Sequence, residues 1–372
     1  MIDRRVAMAS LAGAALLAPA FAFAEAFDGK HLASGEWTRV HEQADGDAVT
    51  FRRQLHGGAA FDTKRGRIVL FGSDEHGEDW TNSPFFFDVA DLRWSRLYPD
   101  DDPATYRVDR FGLPVAGAVG NHPWAMHTFG TVTYHAANDS IVISIYPDHM
   151  QPGRFTNALA RVWPQVKRHP TWVLDLATNR WKPLAGPAVH FFPYATAYDP
   201  ERRVVMGYKE DGVFELRPQP IGWSKLAGPG LLGYANSAVF DTRHHALVVF
   251  GSHTGSDDIV IYEPATRRHQ KMPTPGIRPP KQQSRPMAFH EGIGQTAMLF
   301  DSRTDGDPAI PGAGYAETWL YDLGRDTWAR LPARLPFRVG MNYNLVYDPQ
   351  RAVLLLVAGG PELRTSVWAL RL

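Results

Sequence analysis

The sequence predicts an all-β chain built from a repeated four-stranded unit, and three observations predict it. One ending recurs along the chain, in which an apolar strand closes on an acid and an aromatic or imidazole ring follows six residues later. A hairpin stands before each ending, its first strand finishing in an aromatic residue and Asp or His and its second a run of aliphatics. Composition agrees, since the 372 residues include 33 glycines, 29 prolines and 12% aromatics, and no stretch keeps a clean helical period.

The endings are clearest at Phe85-Phe86-Phe87-Asp88 with Trp94, Trp172-Val173-Leu174-Asp175 with Trp181, and Trp319-Leu320-Tyr321-Asp322 with Trp328. Val260-Ile261-Tyr262-Glu263 with His269, and Phe214-Glu215 with Trp223 at a longer spacing, are weaker copies. The hairpins are Ala60-Phe61-Asp62 with Ile68 to Phe71, Ala197-Tyr198-Asp199 with Val204 to Met206, Val239-Phe240-Asp241 with Leu247 to Phe250, and Val346-Tyr347-Asp348 with Val353 to Leu356. Thr133-Tyr134-His135 and Ala288-Phe289-His290 carry histidine at the turn. Six hairpins thus face five complete endings. After Val367-Trp368-Ala369-Leu370 the sequence stops, while Glu36-Trp37-Thr38-Arg39-Val40 stands alone near the start. An N-terminal strand that completes the last unit removes the discrepancy, and ring closure of this kind leaves no exposed sheet edge. The expected architecture is a six-bladed β-propeller of four-stranded antiparallel blades, one domain over residues 34–372, with the recurring tryptophans packed between blades. The turn aspartates Asp62, Asp199, Asp241 and Asp348 are expected to bond their own turns rather than form a catalytic array, and His135 and His290 to do the same.

On these residues the chain resembles the kelch-repeat family of β-propellers, over roughly residues 34 to 372. The match departs from the family at the double glycine after the second strand: Gly359-Gly360 keeps it, whereas Phe71-Gly72-Ser73 and Phe250-Gly251-Ser252 retain one glycine. The resemblance implies a propeller that serves either as a binding scaffold or as an enzyme. Galactose oxidase, also kelch-like, needs a cysteine joined to tyrosine at its radical copper site, and this chain has no cysteine.

The same absence excludes disulfides, thiolate metal sites and a cysteine nucleophile. Lys+Arg and Asp+Glu balance at 39 each, so no overall field gathers nucleic acid or anionic lipid. The N-terminus carries Arg4 and Arg5, then an alanine-rich apolar run, then Ala22-Phe23-Ala24. That order reads as a signal peptide over residues 1–24 and predicts a periplasmic or secreted protein that does not span the membrane once processed. The adjacent arginines leave open whether export is general or by the twin-arginine route. No later apolar stretch is long enough to cross a bilayer.

In a four-stranded meander blade, the segment leading into the first strand and the loop between the second and third emerge on one face. The long loops Ser73–Ser83, Tyr146–Thr171 and Ser302–Glu317 fall there, as does the Pro99–Met126 connection, so function is expected on that face. The lead-ins nearest the central channel bring His56, His127, His190, Tyr234, Arg285, Asn342 and Tyr343, a set suited to a glycan or small polar or acidic ligand. His56, His127 and His190 are also the candidate ligands of a divalent metal such as zinc or manganese. The loops add Asp74, Glu75, His76, Trp80, His149, Arg154, His253, Arg303 and Tyr315, and rings beside charged groups suit sugar recognition. No G-x-S-x-G, H-E-x-x-H, P-loop or EF-hand loop is present. Two functions remain open at this level: a glycan-binding or envelope-component-binding propeller, and an enzyme on acidic sugars, either a polysaccharide lyase or a sialic-acid-type epimerase. In the second, His127 or Tyr343 would serve as base and Arg285 would neutralise the carboxylate.

Overall fold

The computed structural model describes residues 26–43, 56–73, 79–154, 157–186, 188–193, 195–302, 314–339, 343–360 and 363–372. The segment 1–24, read above as a signal peptide, and the candidates Asp74, Glu75, His76, Arg303 and Asn342 lie outside the described residues.

The aliphatic runs form strands that are apolar at every position because both faces of each sheet are covered by the neighbouring sheets. Leu247 to Phe250 and Val353 to Leu356 are fully buried, and Ile68 to Phe71 nearly so. Six antiparallel four-stranded sheets result. From the innermost strand outwards, blade 1 is Gly58–Asp62, Arg67–Phe71, Phe85–Asp88 and Arg93–Arg96. Blade 2 is Thr133–His135, Ser140–Ile143, Trp172–Asp175 and Arg180–Pro183. Blade 3 is Ala195–Asp199, Val204–Lys209, Gly212–Pro218 and Ile221–Ala227. Blade 4 is Ser237–Asp241, Ala246–Phe250, Ile259–Glu263 and Arg268–Lys271. Blade 5 is Met287–His290, Gln295–Asp301, Ala316–Asp322 and Thr327–Leu335. Blade 6 is Asn344–Asp348, Val353–Gly360, Leu363–Arg371 and, outermost, the N-terminal strand Trp37–Glu42. Each first strand touches the first strands of the blades on either side, and blade 6 touches blade 1, so the ring is closed.

The N-terminal strand pairs in the register Trp37 with Leu370 and Arg39 with Trp368. The Trp37 indole N–H also donates to the Thr318 hydroxyl of blade 5 at 2.8 Å, tying the closing strand to its neighbour. The repeated tryptophans pack as expected: Trp181 lies against Phe71 of blade 1 with ring centres 5.1 Å apart, and its N–H donates to the Tyr98 hydroxyl. Trp328 packs on Phe250 of blade 4.

The turn aspartates cap their own turns. Asp199 accepts from the backbone N–H groups of Glu201 and Arg202, Asp241 from those of Arg243 and His244, and Asp348 from that of Gln350. His135 does the same through Nδ1 toward the Asn138 N–H, and His290 toward the Ile293 N–H. A ring nitrogen has thus replaced a carboxylate oxygen in one local job.

The retained glycines have a steric reason. Gly72 (φ 135°) and Gly251 (φ 104°) both follow a second strand and adopt a backbone that side chains avoid. A Cβ on Gly72 would lie 2.6 Å from the Gly57 Cα and 2.5 Å from the Thr128 Oγ1, and one on Gly251 would lie 2.9 Å from both the Ala235 carbonyl and the Ser284 N. At each site the chain squeezes between the lead-in of its own blade and that of the next.

Candidate functional site

The six first strands enclose a central channel of about 450 Å3. Small residues such as Ala59, Ala197, Ala238 and Ala288 line its shaft, and polar groups gather where the lead-ins arrive on the loop face: Asn236, Ser237, Ser284, Arg285, Tyr343 and Asn344, with Phe129 and Gly130 opposite.

Arg285 is fixed from several sides. Its backbone N–H donates to the Ser237 hydroxyl and its carbonyl accepts from that hydroxyl, which binds blade 5 to blade 4 at the mouth. One terminal guanidinium nitrogen donates to the Val339 carbonyl at 2.7 Å and lies 3.3 Å from Asp301, which in turn accepts from the Val339 N–H. Burial pulls the guanidinium pKa down and pushes the Asp301 carboxyl up, and the pair partly offsets both effects. Nε of Arg285 is buried and makes no hydrogen bond. The same holds for Oδ1 of Asn236, a residue 3% exposed whose amide nitrogen is held by the Gly251 carbonyl. Burial, with Asp301 nearby, raises the Tyr343 phenol, which therefore keeps its proton at neutral pH and is a donor.

Two of the three predicted histidines gather, as a stack and not as a ring around the channel. The His56 and His127 rings lie 4.2 Å apart at 25°, and His149 packs on the far side of the group, 3.8 Å from His127. Phe129, which lines the mouth, meets His56, and Phe192 meets both Phe129 and His149. His127 is 1% exposed and sits behind the mouth. His190 stands apart: its Nδ1 accepts from the Tyr146 N–H, and its Nε2 lies 4.0 Å from Asp148. The lone pairs of stacked imidazoles point along nearly parallel planes, so they do not meet at one ion. Among the described residues no group of three or more His, Cys, Asp or Glu side chains is placed to hold a metal. The metal expectation for His56, His127 and His190 thus finds no support in this geometry.

Asp148 organises the outer part of this cluster, bonding His149 Nδ1 at 3.0 Å and Arg154 at 2.7 Å. Burial raises its carboxyl, but His149, His190 and Arg154 outweigh that and hold it below the usual range. The Tyr146 ring stacks on His169 at 4.4 Å and on His190 at 4.5 Å. Burial depresses both imidazoles to about 4, against the opposing pull of Asp148, so both are neutral at pH 7.

Three of the long loop-face segments pack into one body. Tyr106, Ala116, Trp124 and Ala125 of the blade 1 to blade 2 connection share a core with Met150 and Leu159 of blade 2 and with Trp80 of blade 1. The Trp124 indole is fully buried and donates to the Val115 carbonyl. A short hairpin, Arg107–Val108 with Pro114–Val115, frames this cap. It stands over blades 1 and 2, and His149, next to its Met150, packs on His127.

Of the predicted site residues, Arg285 and Tyr343 line the mouth, His56 and His127 stand beside it, and His190 lies further out. Tyr234, two residues before Asn236, stacks on His253 and does not itself line the channel. Sequence reasoning missed Asn236 and Asp301. Asn236 was accessible in principle, because it lies two residues after Tyr234, a lead-in residue already singled out, whereas Asp301 reaches Arg285 only through the fold. No protein family profile and no curated protein matches the chain.

Proposed function

We propose that the protein is an exported, kelch-type binding propeller that takes a small hydroxylated carboxylate, of the kind a uronic acid presents, at the loop-face mouth of its channel. The observation that carries this reading is a pair of buried atoms of opposite hydrogen-bonding sense on one stretch of wall. Arg285 Nε can only donate and Asn236 Oδ1 can only accept. Ser237, adjacent to Asn236, is bonded to the Arg285 backbone, so the two atoms belong to the same blade junction. A buried donor and a buried acceptor left unpaired each cost about 1–3 kcal/mol, which a ligand bringing both complements would recover. A carboxylate supplies the acceptor and a neighbouring hydroxyl the donor. Tyr343 and Ser284 add further donors on the same rim. The charge-assisted contact to Arg285 would be the strongest of the set.

Titration calorimetry with uronic acids and with their uncharged parent sugars tests this. Arg285→Lys keeps a cation beside Asp301 but removes Nε, so binding should weaken about tenfold or more while the melting curve stays close to the parent's. If the acids bind no better than the neutral sugars, or Arg285→Lys binds as the parent does, the reading is wrong.

A further inference from the structure

The cap closes the loop face over blades 1 and 2 with its own apolar core, while blade 4 presents an open ring beside the mouth. Tyr234 is 45% exposed, large for a tyrosine that is otherwise rigidly held. One face of its ring is covered by His253, parallel within 7° at 4.0 Å. The His253 N–H donates to the Tyr234 carbonyl at 2.7 Å, and the Gln283 amide donates to the His253 carbonyl at 3.3 Å. The remaining face of Tyr234 is therefore a fixed, flat surface that loses little rotamer freedom when something settles on it. Ser252 and Thr254 next to His253 in sequence are bonded to each other, and the partly exposed Leu231 stands three residues before Tyr234. Tyr234 precedes Asn236 by two residues, which limits the backbone between them to about 7 Å. A platform of that size, that close to a polar mouth, matches the apolar C–H face of one pyranose ring.

Resting on the reading of the mouth given above, we infer that the ligand is a chain: an acidic oligosaccharide with one uronate held at Arg285 and Asn236 and the neighbouring sugar stacked on Tyr234. The cap turns the chain away from blades 1 and 2 and leaves blade 4 as its path.

The test is calorimetry on the processed protein with galacturonate, glucuronate and mannuronate, each as the monomer and as two-unit and three-unit chains. One acid should bind as the monomer, and its chains about tenfold tighter. Tyr234→Ala should erase the gain and leave the monomer's affinity in place, while Tyr234→Phe should keep the gain. Chains that bind no tighter than the monomer, or a Tyr234→Ala variant that keeps the full gain, overturn the inference and leave the mouth reading standing. If neither monomer nor chain binds, the mouth reading itself fails, and this inference with it.

Discussion

Replacing Trp37 is expected to destabilise the whole ring, because the strand that carries it closes the last blade. The indole is 9% exposed, packs with Leu370 and Leu356 in the core between blades 5 and 6, and donates at 2.8 Å to a fully buried Thr318 hydroxyl. Trp37→Ala removes a buried aromatic and should cost about 3–5 kcal/mol. Trp37→Phe keeps most of the packing but leaves the Thr318 hydroxyl unmatched, a loss of about 1–2 kcal/mol. Adding Thr318→Val to Trp37→Phe removes the stranded hydroxyl, so the double variant should lose less than the sum of the singles by about 0.5–1.5 kcal/mol. Urea unfolding followed by far-ultraviolet circular dichroism supplies the midpoints, compared at equal slope. Deleting residues 34–41 should go further, uncovering the edge of the Leu363–Arg371 strand and shifting the protein toward aggregates. A Trp37→Ala variant with the parent's midpoint would refute the closure argument.

Acid should weaken the protein through its buried imidazoles. The unfolded chain protonates His190 and His169 near 6.5 and the folded protein near 4, so stability falls as pH drops through that interval and levels below it. For His190, whose side chain is 25% exposed, the loss is on the order of 1–3 kcal/mol. His190→Gln should therefore show a smaller drop in urea midpoint between pH 7 and pH 4, and an equal drop would count against the assignment. Gly72→Ala forces a Cβ into the Gly57 backbone at 2.6 Å and should cost clearly more than Gly153→Ala, which shares a positive φ (83°) but where a Cβ meets nothing within 4 Å. Matching melting temperatures for the two variants would show that the crossing is looser than described. N-terminal sequencing of the periplasmic or secreted protein should begin near Glu25, and an intact Met1 in a soluble cytoplasmic pool would exclude export.

The propeller was legible in the sequence because each blade writes the same local chemistry. Asp88, Asp175 and Asp322 each precede their tryptophan by six residues because the same tight turn joins the third and fourth strands, and Asp88 and Asp175 bond that turn's own N–H groups. Closure was legible as arithmetic, one orphan strand against one incomplete blade. The site was legible only in outline. Arg285 and Tyr343 were found because strand order brings their lead-ins to the channel. The cap was not found, since Tyr106 and Trp124 come from one loop and Met150 and Leu159 from another, with no shared period, and the two meet only through tertiary packing. Its trace in sequence was the density of aromatics in segments too long to be plain turns. The same long-range contacts stacked two of the three histidines expected around the channel, His56 and His127, beside it with His149, and left His190 apart.

The pairing of Trp37 with Leu370 also constrains how the molecule is made. A strand that emerges among the first must wait for one that emerges among the last, with the other blades formed or forming between them. The entropy of closing so long a loop grows only slowly with its length, but the contact is as non-local as the fold allows, and non-local pairing slows folding. Until that pairing forms, the Leu363–Arg371 strand keeps an unpaired edge, a template for another copy of the chain. Ring closure therefore ties two distant parts of the sequence to one event: a chain cut short before Leu363 lacks the partner strand for Trp37–Glu42.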